Sequence, residues 1–169
     1  MQITTRFFGD IEIDDQKILH FEEGLIGFEN LKKFTLIYNS EEENSKSIIW
    51  LQSLDEPMVA FPMINPFHVM TDYNPIINDE VLDSLGELKE ENTALFLTLT
   101  VPADITKMTT NLKAPIIINA ETKRGCQVIA ENPDYVIKYN IYDVIQKMKE
   151  QCKKDEVKET DVGIIQKSE

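Results

Sequence analysis

The chain has 169 residues, 42% of them apolar, enough for one domain of ordinary size to bury a core without a disulfide or metal to staple it. Lysine and arginine number 17 against 30 aspartates and glutamates, a net charge of −13 that argues against nucleic acid or an anionic membrane as a direct partner, since both are held chiefly by clustered cations. Residues 1–135 carry 10 basic and 23 acidic side chains and residues 136–169 carry seven of each, so the whole net charge sits on the first segment.

Met1 to Asp10 lacks the basic stretch and apolar core of an export signal, which predicts a cytoplasmic protein. The residues then alternate. Ile3, Thr5 and Phe7, the Gly9-Asp10 punctuation, and Ile11 and Ile13 predict a strand, a tight turn and a second strand. Gly24-Leu25-Ile26-Gly27 is a loop signal: its glycines suit backbone conformations other residues avoid, letting Phe21, Leu25 and Phe28 fold back onto the core. Phe34 to Tyr38, Ile48 to Leu54 and Met58 to Ile64 follow as strands, with the acidic run Glu41-Glu42-Glu43 and Asn44-Ser45 as a solvated loop between the first two. Asp79 to Leu85 has the acidic start and Gly86 stop of a short helix, with Val81, Leu82 and Leu85 on one face. Thr93 to Val101, Pro115 to Asn119 and Gly125 to Ala130 complete the strands. The seven prolines, Pro57 to Pro133, are expected between or at the ends of these runs, where a missing N–H is tolerated. Many short strands at close spacing point to a barrel or a sandwich. The longest apolar run, Ala94 to Val101, falls far short of the roughly 20 residues of a membrane-spanning helix.

Past Asp134 the period becomes helical. Ile141, Val144, Ile145, Met148 and Cys152 share one face, opposite Lys147, Lys149, Glu150 and Lys153, which predicts an amphipathic helix from about Ile141 to Lys154 that docks on its own domain. Asp155 to Glu169 is mostly polar around a lone Ile164-Ile165 pair and is expected to be disordered. The domain reading is a β domain over 1–135, a helical extension over 136–154 and a tail over 155–169.

Little in the chain points to catalysis. The carboxylate pairs Asp14-Asp15, Glu22-Glu23, Asp55-Glu56, Asp79-Glu80 and Glu90-Glu91 are sequence neighbours, whereas acid/base work needs carboxyls converging from different places; they read as solvated charge and turn formers. A small hydrolase using such pairs is the alternative to a binding module. His20 and His68 each sit between apolar residues and read as packed at a strand edge, Trp50, Phe61 and Phe67 read as core, and Cys126 and Cys152 lack metal or redox spacing and read as free thiols. No catalytic, metal or cofactor set is visible, which leaves a binding module by elimination.

The motifs of the first 135 residues resemble those of the flagellar assembly factor FliW family. They are Phe8-Gly9-Asp10-Ile11-Glu12, then Phe21-Glu22-Glu23-Gly24-Leu25-Ile26-Gly27-Phe28-Glu29, Trp50-Leu51-Gln52-Ser53-Leu54, Phe61-Pro62, Asp72-Tyr73 and Val101-Pro102. The most specific is Met108-Thr109-Thr110-Asn111-Leu112-Lys113-Ala114-Pro115-Ile116-Ile117-Ile118-Asn119, followed by Arg124-Gly125-Cys126-Gln127. The chain departs from the pattern at Glu22 and Ile26, where the family commonly has proline, and in continuing beyond Asp134-Tyr135. The resemblance implies a mainly β fold: a small antiparallel β-barrel-like domain with one or two short helices, here with an added C-terminal amphipathic helix. It also implies a non-enzymatic role, needing no cofactor. Such proteins bind the translational regulator CsrA and relieve its repression of flagellin mRNA, and bind flagellin as a competing partner. The polar residues inside the matching motifs, Gln52, Ser53, Asp72, Asn111, Asn119 and Gln127, are the candidate partner-binding residues; their competing role is to tie turns and strand ends.

Overall fold

The computed structural model describes residues 1–38, 48–147 and 150. The acidic run at Glu41–Glu43, the predicted helix positions Met148 and Cys152, and the tail from Asp155 lie outside the described residues.

The alternating start of the chain forms a hairpin of β1 (Gln2–Thr5) and β2 (Gly9–Glu12), with Ile3 opposite Ile11. Its turn falls earlier than Gly9-Asp10, at Arg6-Phe7-Phe8, closed by Thr5, whose Oγ1 donates to the Gly9 carbonyl at 3.0 Å and accepts from Phe8 N–H at 2.9 Å. Phe7 is therefore a turn residue, and its ring lies 5.1 Å from that of Trp50.

The other described strands are β3 (Leu19–His20), β4 (Lys33–Tyr38), β5 (Ile48–Ser53), β6 (Ala60–Ile64), β7 (Thr93–Thr100), β8 (Thr109–Thr110), β9 (Ile116–Asn119), β10 (Arg124–Gln127) and β11 (Tyr139–Asn140). They join in the order β11-β8-β7-β6-β5-β4-β3-β10-β9, and a further β7–β9 pairing closes seven of them, β3 to β7 with β9 and β10, into a barrel. The neighbours are antiparallel except at the β3–β10 seam, where Arg124 pairs with His20 in parallel. The mainly β, barrel-like expectation holds, with α1 (Pro66–Val69) and the Asp79–Leu85 turn as short helical pieces.

Period-two patterning explains the core. Phe34, Leu51, Met63, Phe96, Ile116 and Ile118 point inward with Phe21 and Leu25. The four residues of β9 are all buried because the sheet is covered on its outer face as well: Ile117 packs there with Leu85 and Val128. The Asp79–Leu85 segment is a 3-10 helix, in which residues three apart eclipse, so Leu82 and Leu85 share a face and Val81 turns out to solvent. The outer face of β6 and β7 carries a second cluster of Ile64, Leu97 and Leu99, covered by Tyr73, Leu112, Tyr135, Ile141 and Ile145. Residues 142–147 are helical, and burying Ile141 and Ile145 contributes about 1.5–3 kcal/mol each.

One proline departs from the punctuation pattern. Pro62 lies inside β6, opposite Trp50. The Ser53 N–H donates to the Val59 carbonyl, so by alternation Pro62 turns its nitrogen away from β5 and toward β7. It has no N–H to give there, and the β6–β7 ladder stops at the next pair, Met63 with Thr98.

Candidate functional site

Past the last β6–β7 pair, Phe61 and the end of β7 border a groove. A depression of about 510 Å³ runs between the Leu25–Phe28 loop, Phe61, the end of β7 (Thr98, Leu99, Thr100) and residues 111, 113, 114, 127, 129 and 137. Thr98 and Thr100 share the inward face of β7 with Phe96, so the groove lies at a mouth of the barrel. Its walls carry large apolar side chains left in solvent: Ile26 is 52% exposed, Phe28 40%, Ile129 53% and Ile137 61%. Among the described residues the lining holds one charged side chain, Lys113, and no carboxylate, which sets it apart from the acidic surface of a chain with net charge −13.

The loop wall is held by glycine geometry. Gly24 and Gly27 have φ of +65° and +87°, and a Cβ at Gly24 would lie 2.6 Å from the Phe28 carbonyl oxygen. Leu25 and Phe28 exchange backbone hydrogen bonds at 2.8 and 3.3 Å. Phe21 and Leu25 do fold into the core, but Phe28 does not: its ring meets Phe61 edge-on at 5.0 Å on the groove wall. Gln127 then fastens the loop to the barrel. Its Oε1 accepts from Ile26 N–H at 2.9 Å and its Nε2 donates to the Ala114 carbonyl at 3.1 Å.

The six polar candidates do not share one surface. Asn111 and Gln127 line the groove, and Asn111 also closes a turn by accepting from Lys113 N–H at 2.9 Å. Asp72 is exposed in the loop after α1, beside Tyr73. Gln52 and Ser53 are fully buried on β5. The Gln52 Nε2 donates toward the carbonyls of Ser53, Pro57 and Val59 at 2.8–3.2 Å, while its Oε1 is buried without a partner among the described residues. Ser53 Oγ accepts from Glu56 N–H at 3.0 Å. Asn119, also fully buried, donates to the Leu85 and Glu87 carbonyls and accepts from Glu121 and Thr122 N–H, pinning the 3-10 segment to the β9–β10 turn.

Tyr73 and Tyr135 form a second tie. Their rings stack at 4.9 Å, the Tyr73 hydroxyl donates to the Leu112 carbonyl at 2.8 Å, and the Tyr135 oxygen accepts from Asn74 N–H at 2.7 Å. Burial, and then the neighbouring Tyr135, hold the Tyr73 phenol well above its usual range. Burial also pushes the Cys126 thiol up to about 11, away from nucleophilic use.

The paired carboxylates are all exposed. Asp14 caps a turn by accepting from Gln16 N–H, and Asp55 accepts from the N–H groups of Lys32 and Lys33. Among the described residues no group of three or more His, Cys, Asp or Glu could hold a metal ion, and no helix is long and apolar enough to cross a membrane. The two histidines differ from the strand-edge packing expected of them: both are exposed, His20 on β3 and His68 on α1, and Phe67 on the same short helix is exposed rather than core. The four apolar groove residues do not read as a site along the chain, because a large apolar side chain reads as core until the strand beside it is known to stop. The one available signal was Ile26, held between two glycines.

Fold and site together define a small closed β-barrel with an apolar, nearly uncharged groove at its mouth. Comparison with known proteins gives that barrel a family. The family model described as FliW protein matches residues 2–141. The chain is 57% identical over 146 residues to a flagellar assembly factor FliW from Lachnoclostridium phytofermentans, covering 86% of this chain and 94% of that protein. It is 48% identical over 148 residues to one from Lachnospira eligens, covering 87% and 98%. A crystal structure of the flagellar assembly factor FliW superposes with a TM-score of 0.74 at 36% identity, covering 83% of this chain and 96% of that one. The chain belongs to the FliW family.

Proposed function

We propose that the protein is a non-enzymatic, cytoplasmic flagellar assembly factor that binds the translational regulator CsrA, relieves its repression of flagellin mRNA, and binds flagellin as a competing partner. The observation that carries this reading is the family match across the whole described barrel, residues 2–141. The charge supports a mechanism. A repressor that grips RNA phosphates is basic along its RNA edge, and a bound domain of net charge −13 beside that edge opposes phosphate binding without filling the same site. Of the six polar candidates, exposed Asp72 and groove-lining Asn111 and Gln127 are the ones offered to a partner, while Gln52, Ser53 and Asn119 serve the fold. A hydrolase built on paired carboxylates has no comparable support, since Asp14 and Asp55 are engaged by backbone N–H groups.

The test is calorimetric titration of the full chain with the CsrA of its own organism, repeated with flagellin preloaded. Saturable binding that flagellin abolishes is the expected result; no binding to either by the folded protein overturns the reading. Screening separates the mechanisms, because repulsion between exposed charges fades over about 8 Å at physiological ionic strength. The ratio of CsrA affinities for RNA without and with the protein should shrink as salt rises, and a constant ratio points to steric exclusion instead.

A further inference from the structure

Residues 142–169 lie outside the stretch matched by the family model. From Asp155 onward they contain a single apolar cluster, Val162, Gly163, Ile164 and Ile165, with Asp161 before it and Lys167 after. We propose that this segment of the same chain seats in the groove as an intramolecular occupant, so that any partner using the groove must displace it.

Three features favour this occupant. The first is reach. Ile137 stands on the groove rim and Ile141 is anchored in the cluster behind β7. The twelve residues from Glu150, which is helical, to Val162 span about 17–21 Å as a flexible chain and up to about 40 Å extended. The second is chemistry. The exposed side chains of Ile26, Phe28, Ile129 and Ile137 call for an apolar cover, and Lys113 provides a cation for Asp161 in a lining that, among the described residues, has no carboxylate to repel it. The third is backbone. The Thr98 carbonyl accepts from Asn111 N–H and Thr110 Oγ1 on the β8 side, so by alternation Leu99 faces β6, where Pro62 has no N–H to offer the Leu99 carbonyl. An extended segment laid there can donate an N–H to that carbonyl, and β-branched Val162, Ile164 and Ile165 suit that conformation. A short tether also holds the segment at roughly millimolar effective concentration, above what a second copy supplies in dilute solution.

The experiment uses the full chain with isotope-labelled isoleucine methyls, compared with the double variant Ile164→Ser, Ile165→Ser. The expected result is that the Ile26, Ile129 and Ile137 methyl resonances differ between the two proteins equally at low and high protein concentration. A synthetic peptide of residues 158–169 added in trans should bind the variant about tenfold more tightly than the unsubstituted chain, because the tethered copy no longer competes. Shifts that grow with concentration, together with a dimer in light scattering, would assign the groove to the tail of another copy and overturn the proposal. Identical groove resonances with equal peptide affinity would overturn it as well, leaving the groove to an external partner. Neither readout involves CsrA or flagellin, so failure here leaves the proposed function standing.

Discussion

Replacing Asn119 by alanine tests whether this residue serves the fold or a partner. Its side chain makes four hydrogen bonds, donating to the Leu85 and Glu87 carbonyls at 2.8 and 3.2 Å and accepting from Glu121 and Thr122 N–H at 2.9 and 3.2 Å. Glu121 and Thr122 are exposed, so water can take over their N–H groups at a loss of about 0.5–1.5 kcal/mol each. The Leu85 carbonyl keeps the Thr122 hydroxyl at 2.9 Å, which limits the penalty on the buried side. The total is about 2–4 kcal/mol. With a urea slope of about 2 kcal/mol/M for a domain of this size, the unfolding midpoint falls by about 1–2 M, followed by the fluorescence of Trp50. Asn119→Asp keeps the shape but sets a carboxylate against two carbonyls, and should lose at least as much. CsrA affinity measured well below the midpoint should be unchanged. A midpoint shift under about 0.3 M, or loss of affinity at full stability, would refute the structural assignment.

Gln127→Leu removes the Gln127 bond to the Gly24–Phe28 loop and the bond to Ala114 that holds the Gln127 side chain in place, so Ile26 amide exchange should accelerate at least about tenfold with a stability loss of only about 1–2 kcal/mol; unchanged exchange would show that the loop holds itself. In Gly125→Ala the new Cβ would come within 2.5 Å of the fully buried Phe21 ring. The melting temperature should drop by about 4–12 °C for roughly 2–3 kcal/mol of overpacking, and an unchanged value would mean that the ring moves freely. Cys126, raised from 9.0 to about 11 by burial, should be alkylated at pH 8 at least about tenfold more slowly in the native protein than in urea, as read by peptide mass mapping. The sign for stability follows from the same shift. The folded state favours the protonated thiol, so its contribution is complete below pH 9 and is lost as pH rises toward 11, and Cys126→Ala should flatten part of that decline in urea midpoints. An equally steep decline in the variant would assign it to other groups, Tyr73 first among them.

The long strands and the glycine loop were legible in the chain because their signals are local. Runs of β-branched and large apolar residues mark β4 to β7 and β9 within a residue or two, whereas the strand read over Gly125 to Ala130 ends three residues earlier, at Gln127; Gly24 and Gly27 take the positive φ that their loop requires. The two-residue strands β3, β8 and β11 carry no alternation to read and exist only through their partners. The Asp79–Leu85 segment reads as a short helix from its acidic start and glycine stop, and it winds as a 3-10 helix whose last carbonyl, that of Leu85, is bonded by Asn119 and Thr122. Val81 left the buried face for that reason.

Composition, alternation and turn residues thus specify an acidic, mainly β domain, and its motifs specify a family, since all of these act through neighbours along the chain. Closure of the barrel, the site and the roles of its polar residues come from pairings between distant positions. Residues 101 positions apart, Ile26 and Gln127, share one hydrogen bond across the groove. Pro62 becomes the point where a ladder ends only once β7 lies beside it. Asn111 and Asn119, eight positions apart in one motif, end on a groove wall and in a buried clamp. A side chain's burial depends on what the rest of the chain brings against it, and no local pattern carries that information.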